Sequence, residues 1–309
     1  MIHEYALDPD VLNSWASNHR DYAEFIREYG LGTPRIISSF PRRKASKLRS
    51  YLMQFSPNQA QPLSAQRYIE MVQKIVESVI VRDVLENSPS DWAETAALEN
   101  SRVPFGVILT STEALTGNSV KPTAIYDQNS IWNHPDQINV PRTNEGLITA
   151  FLNLVRLANS RIVIVDPFGW TDSAIRFVRL MLLAIKRNRV SEGFPSVTLF
   201  YKEKQGSGAG NGSPKAEYVR HRLLNDLKID LPNLKLEVFE LTEVEDGDVF
   251  HNRCILTELG GVMTGHGVSL SNDPSHTDEA ILMKPSIYQK KWRQFVDANC
   301  YRVVSEAKG

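Results

Sequence analysis

The segment Phe250-His251-Asn252-Arg253-Cys254-Ile255-Leu256-Thr257-Glu258-Leu259-Gly260-Gly261-Val262-Met263-Thr264-Gly265-His266-Gly267-Val268-Ser269 decides how the rest of the chain is read. Two apolar runs flank Glu258-Leu259-Gly260-Gly261, so the spacing predicts a β-hairpin. His251 and Arg253 lie two apart, which on a strand puts both side chains on one face. If Glu258 pairs with Gly261 across a two-residue loop, Arg253 stands opposite His266 and His251 opposite Val268. That register gathers His251, Arg253 and His266 at one end of the hairpin. An imidazole beside a guanidinium suits phosphate chemistry: a nucleophile or acid next to a planar donor of fixed geometry.

Upstream of the hairpin, strands and helices alternate. Arg161-Ile162-Val163-Ile164-Val165-Asp166 reads as a strand covered on both faces, because its apolar run is nearly continuous. A helix is predicted from Asp172 to Asn188, a strand over Ser196–Tyr201, a helix over Ala216–Leu227 and a strand over Leu234–Leu241. Thr143 caps a helix through Ala158, with Glu145 in its first turn. Val103–Thr110 and Thr123–Tyr126 are candidate strands, Val249–Thr257 and Gly261–Thr264 form the hairpin, Glu279–Met283 is a strand, and Pro285–Ala298 closes as a helix. This order predicts an α/β fold, a mixed sheet flanked by helices with a largely parallel core and a late hairpin, over 101–309.

Residues 1–100 read as a mainly helical N-terminal region. Asp8 and Asp10 offer caps near Val11, Tyr22, Phe25, Ile26 and Tyr29 recur at helical spacing, and Ser64–Leu85 carries a second apolar stripe. Charge is uneven here. Residues 1–28 hold six acids against two Lys/Arg, whereas Tyr29–Ile69 holds seven Lys/Arg and no acid, six of them at Arg35, Arg42, Arg43, Lys44, Lys47 and Arg49. The run Arg42-Arg43-Lys44-Ala45-Ser46-Lys47-Leu48-Arg49 fits a short helix presenting cations to nucleic-acid phosphates, with Phe40 and Tyr51 available to stack. It fits equally an internal partner for the acids of 1–28, or a protein interface.

The whole chain, 309 residues with 42% hydrophobic and 23% charged residues, has the composition of a soluble globular protein. Its net charge of -1 gives no global field for nucleic acid or membrane, so any such attraction is local. Two distant cysteines, Cys254 and Cys300, make neither a disulfide framework nor a metal-ligand spacing. With no secretory leader at Met1-Ile2-His3-Glu4 and no apolar run of membrane-spanning length, the expected location is cytoplasmic. The stretch from Gln205 to Lys215 joins a strand to a helix, but it lacks both the dinucleotide-binding and the P-loop spacing and reads as a mobile loop. The acids Glu237, Glu240, Glu243, Glu245, Asp246 and Asp248 read as a solvated face, and no metal or other cofactor is expected.

The hairpin resembles the phospholipase D superfamily. That family is marked by His-x-Lys, four residues, Asp, six residues, then Gly-Ser-x-x-Asn. Here the same intervals run His251-x-Arg253, four residues, Glu258, six residues, Gly265-His266-x-x-Ser269. The spacing is kept; Arg253, Glu258, His266 and Ser269 replace lysine, aspartate, serine and asparagine. The His251-x-Arg253 strand followed by Gly265-x-Gly267 is also similar to the non-catalytic phospholipase-D-like C-terminal domain of MIT-domain proteins.

The first resemblance implies a metal-independent nuclease or phosphodiesterase. His251 would attack phosphorus, Arg253 would hold the phosphate, and Glu258 and Ser269 would stand where the family has aspartate and asparagine. No second His-x-Lys occurs at His3, His19, His134, His221 or His276, so the second imidazole would come from a two-fold dimer or from His266. The second resemblance implies a catalytically inactive adaptor within a protein complex. Both imply a phosphodiester-bearing partner, nucleic acid first.

Overall fold

The computed structural model describes residues 1–309 apart from 59, 85–90, 113–115, 129, 205–211, 226, 246, 252, 272, 274 and 298–299. Most of the glycine-rich stretch and Asp246 of the acidic stretch therefore lie outside the described residues. The chain forms two compact units: Ile2–Pro135 with Val190–Glu192, and Met1 with Asp136–Arg189 and Gly193–Gly309.

The first unit is mainly helical, as expected over 1–100, and adds a short sheet that the sequence did not mark. In chain order it contains β1 (His3–Leu7), α1 (Pro9–Ser17), α2 (His19–Glu28), β2 (Arg35–Ile37), α3 (Ala45–Leu52), α4 (Pro62–Ser78), α5 (Trp92–Arg102), β3 (Val107–Leu109) and β4 (Ser119–Val120). The strands form a parallel sheet in the order β2-β1-β3-β4. Val103–Thr110 is thus realised as the short β3 and pairs with β1, so 101–135 belongs with the first unit rather than beginning the second. Pro122–Tyr126 is a 3-10 turn, not a strand. Asp8 caps α1 by accepting from the Asp10 amide, and Pro9 takes the first helical position, where a missing N–H costs nothing. Apolar residues of β1, α1 and α4, including Tyr5, Leu12, Trp15, Tyr68, Met71 and Val72, bury one core.

The second unit is the expected α/β layer. It runs β5 (Gln137–Pro141), α6 (Asn144–Leu157), β6 (Arg161–Val165), α7 (Asp172–Asn188), β7 (Ser196–Lys202), α8 (Ala216–Asn225), β8 (Leu236–Thr242), β9 (Cys254–Thr257), β10 (Gly260–Thr264), β11 (Thr277–Leu282), α9 (Pro285–Trp292) and β12 (Arg302–Ala307). The eight strands lie in the order β12-β8-β7-β6-β9-β10-β11-β5. β6, β7 and β8 run parallel, while β9, β10, β11, β5 and β12 pair antiparallel.

Thr143 caps α6 through Gly146 N and Thr171 caps α7 through Ala174 N. Val163 and Val165 of β6 pack with Phe200, Cys254, Leu256 and Phe295, and the alternating Ile162 and Ile164 are buried as well. The continuous apolar run of β6 thus reflects burial on both faces. β9 is central and buried, but it begins at Cys254; Val249 and His251 precede it as exposed chain. Among the described residues, no helix is long and apolar enough to cross a membrane.

Candidate functional site

Sheet register assembles the site. Val165, the last residue of β6, pairs with Cys254, the first of the antiparallel β9, so Asp166 and Arg253 leave the sheet side by side. Met263 near the end of β10 pairs with the same Cys254, and the Thr264 amide donates to the Arg253 carbonyl at 3.1 Å. Thr264 pairs in turn with Ala280 of β11, which brings Asp278 to the same edge. Asp166, Arg253, Asp278 and the 265–269 turn therefore share one end of the sheet.

This register corrects the expected one. The hairpin closes at Thr257 and Gly260, leaving Glu258-Leu259 as the loop, and Arg253 stands opposite Thr264 rather than His266. The cause is local: the Thr257 hydroxyl accepts from the Leu259 amide at 3.1 Å, pinning the turn earlier than assumed. The shift is two residues, so the pleat keeps the same faces. His266 lies beyond the strand, in the turn.

That turn is held by two buried carboxylates. Asp166 is 1% exposed; its Oδ1 accepts from the Phe168 amide and its Oδ2 from the Val268 amide, each at 2.8 Å. Burial pushes its carboxyl up from the usual carboxylate range, while the two amides and the nearby Arg253 charge pull it back. Gly267 has φ +64°, and a Cβ there would stand 2.1 Å from Asp166 Oδ2, so no side chain fits. Asp278 accepts from the Gly265 amide at 3.1 Å and the His266 amide at 2.8 Å, and lies 3.5 Å from His266 Nδ1.

Arg253 is half-buried. Its guanidinium donates to the Gly265 carbonyl and lies 5.6 Å from the Phe168 ring centroid, and its buried Nε has no hydrogen-bond partner among the described residues. Both imidazoles, His251 and His266, are exposed within two residues of this Arg253–Gly265 contact. Ser269 meets the site through its backbone: its amide donates to the His266 carbonyl at 3.3 Å, and its carbonyl accepts from Arg142 Nε and Nη2, each at 3.3 Å. At the neighbouring carboxyl ends of β7 and β8, Lys202 pairs with Glu243 at 2.5 Å, and Glu243 accepts from the Phe250 amide at 2.7 Å. The Lys202 hydrogen bond is the main cause that holds the Glu243 carboxyl below its usual range.

Glu258 is not brought to this site. Thr257 pairs with Ile162 near the start of β6, so the loop after it lies at the opposite end of the sheet. There the Glu258 carboxylate accepts from the amides of Asn159, Ser160 and Arg161, the latter two at 3.2 Å. It ties down the entry to β6. Replacing Glu258 with alanine is expected to lower stability by about 1–3 kcal/mol, the range for hydrogen bonds to a charged group, with ligand affinity unchanged. Denaturant unfolding and a binding titration on the same variant check both halves.

Four residues missing from the sequence-based site belong to its surroundings: Asp166, Asp278, Arg142 and Lys202. Asp166 carried a signal, since it closes the apolar β6 run. The other three sit in polar contexts that no short motif marks. Among the described residues, no group of three His, Cys, Asp or Glu side chains is placed to hold a metal ion.

The basic segment separates on folding. Arg35 is buried, paired with Glu28 at 3.3 Å, donating to the Trp132 carbonyl at 3.0 Å and lying 4.7 Å from the Trp132 ring centroid. Arg43 pairs with Asp83 at 3.0 Å and Glu192 at 3.4 Å. Arg42, Lys44, Lys47 and Arg49 are exposed on or just before α3.

No family model matches the chain, and no curated protein matches it in sequence. Solved structures do. A polyphosphate kinase from Porphyromonas gingivalis aligns at TM-score 0.33 and 12% identity over 59% of this chain and 29% of its own. The phosphatidylserine synthase of Haemophilus influenzae aligns at 0.31 and 12%, over 54% and 39%. Nuc from Salmonella typhimurium, a phospholipase D family member, aligns at 0.34 and 11% over 56% of this chain and 99% of its own. The structures to which this chain is similar thus include a member of the phospholipase D family that the motif spacing resembles.

Proposed function

We propose that the second unit binds a phosphodiester ligand, nucleic acid first among them, at the sheet edge formed by Arg253 and the 265–269 turn. The observation that supports this most is Arg253: a half-buried guanidinium, braced by the Gly265 carbonyl, with exposed imidazoles close by on both sides in the chain. A planar cation of fixed geometry suits phosphate oxygens better than a mobile lysine does. Asp166 and Asp278 spend their oxygens on backbone amides, so they shape the turn and leave the phosphate to Arg253 and the histidines.

On this reading the chain can also cut. A His251 nitrogen attacks phosphorus, the bond from phosphorus to the leaving oxygen breaks, and that oxygen takes a proton from His266 or from a second chain's imidazole; water then releases the phosphate from His251. One observation favours the rival reading of a binding module within a protein complex: Glu258 lies at the opposite end of the sheet and supplies no group to the edge.

Fluorescence anisotropy with labelled single- and double-stranded oligonucleotides, run alongside a cleavage assay in EDTA at chain concentrations that allow dimers, tests both. Binding by the wild type is expected, with Arg253→Ala weakening it about tenfold or more, as losing a charged hydrogen bond does. If the chain is an enzyme, His251→Ala abolishes cleavage and keeps binding. A wild type that binds and never cuts favours the module; one that binds no phosphodiester overturns the proposal.

A further inference from the structure

The first unit has a sheet edge of its own that nothing above employs. Its strands all run parallel, and the chain leaves β1 to form β2 on one side, then returns to form β3 on the other. The connections part at β1, and a parallel sheet opens a crevice outside the carboxyl ends of its strands at such a reversal. Here the crevice has a rigid floor. Asp8, directly after β1, is buried; its Oδ2 accepts from Thr110 Oγ1 at 3.0 Å, Ser111 N at 3.1 Å and Ser111 Oγ at 2.9 Å, all directly after β3. Its Oδ1 accepts from the Asp10 amide at 2.9 Å. Asp10 and Ser111 are themselves exposed at this edge.

The chain leaving β2 brings the basic segment to the same edge. Arg42 lies 4.7 Å from the Tyr51 ring centroid, and Arg42, Ser46, Lys47, Ser50 and Tyr51 line a shallow groove of about 340 Å³. On α3, Ser46 and Ser50 are one turn apart, as are Lys47 and Tyr51. Tyr51 also senses the acids: burial pushes its hydroxyl up, Arg42 pulls it down, and Asp8, Asp10 and Asp91 push it up again. Its ring packs against two apolar clusters of this unit, which include Leu7 at the end of β1 and Leu109 at the end of β3.

We propose that this edge binds a phosphorylated small molecule bearing free hydroxyls, its phosphate on Arg42, Ser46, Lys47 and Ser50 and its hydroxyls toward Asp10 and Ser111. Two cations and two hydroxyls can saturate one phosphate, and carboxylate and serine are acceptors for sugar hydroxyls. A nucleic-acid backbone is a poorer fit. Arg35 and Arg43 are paired internally, and Arg49 lies about 200° around the helix from Lys47, which leaves Arg42, Lys44 and Lys47 of the six cations for a backbone.

Isothermal titration of the full chain with adenosine monophosphate, ribose 5-phosphate and inorganic phosphate tests this. One of the two esters, or both, is expected to bind, and to bind more tightly than inorganic phosphate. Both esters binding alike assigns the sugar phosphate as the recognised part, and preference for the nucleotide adds the base. Lys47→Ala should weaken the ester about tenfold or more, and Asp10→Asn should narrow its advantage over inorganic phosphate. Arg253→Ala, in the other unit, should change neither, which separates this site from the one proposed above. These side chains are exposed, so circular dichroism should show the variants folded. No ester binding, inorganic phosphate binding as tightly as the esters, indifference to Lys47→Ala, or loss through Arg253→Ala overturns the proposal. So does binding of a single-stranded oligonucleotide without either ester.

Discussion

Arg82→Ala should unfold the first unit far more readily than any exposed charge substitution in it. Arg82 is 0% exposed and lies between Glu4, also 0% exposed, and Glu99, 1% exposed. One guanidinium nitrogen donates to both Glu4 oxygens at 2.8 Å, Nε donates to Glu99 at 2.9 Å, and the charge lies 4.0 Å from the Phe105 ring centroid. Removing the arginine takes the guanidinium from two buried carboxylates and leaves Arg102, at the rim, as the cation beside Glu99. Breaking a buried ion pair from one side costs about 3–5 kcal/mol, a large share of the roughly 5–15 kcal/mol that holds a domain folded.

The pair need not be strongly favourable for this to hold. Desolvation offsets much of its attraction, so the triple replacement Glu4→Leu, Arg82→Met, Glu99→Leu should recover most of the loss. Urea unfolding of the three proteins decides it. The midpoint should drop steeply for the single variant and return for the triple one, with similar slopes. A single variant within about 1 kcal/mol of wild type would mean that the cluster is not closed to water.

The second large effect falls on the other unit. Gly267→Ala asks a side chain to adopt φ +64° and to place a methyl 2.1 Å from Asp166 Oδ2 and 3.0 Å from Arg253 Cδ. The left-handed backbone costs an L-residue about 1–2 kcal/mol, and overpacking adds about 1–3 kcal/mol. The turn can escape only by lifting off Asp166, which strips the Val268 amide from its acceptor and leaves that carboxylate buried and underused. The expected outcome is a loss of about 2–4 kcal/mol in unfolding free energy together with lost phosphodiester binding. Asp166→Ala should relieve the clash while removing the anchor, so the double variant should be less unstable than the sum of the two single ones. Additive losses would show that Gly267 and Asp166 do not act on one another.

How far the sequence reached depended on the range of the interaction. The Arg161–Val165 run announced a strand buried on both faces, because such a strand must be apolar at every position. Caps at Asp8 and Thr143 were equally local: each needs one side chain and an amide two or three residues on. Spacing marked His251, Arg253 and His266 around one hairpin, although it set His266 on the strand opposite Arg253 rather than in the turn beyond it. The N-terminal sheet was not marked. β2 and β3 are three residues each, too short to show a period beside long helical stripes, and only their pairing with β1 makes them strands.

Register and anchoring also waited for the tertiary structure. Leu259 bonding to Thr257 moved the turn, and Glu258 found its amides 97 to 99 residues away. Asp166 became part of the site through an amide 102 residues on, and Arg35 left the basic cluster for a carbonyl 97 residues on. By itself the sequence marked His251, Arg253 and His266 by their spacing and set a hairpin between them. Which of them meet was decided by packing, because a buried carboxylate or guanidinium goes where its hydrogen bonds are met, and those partners are distant in the chain.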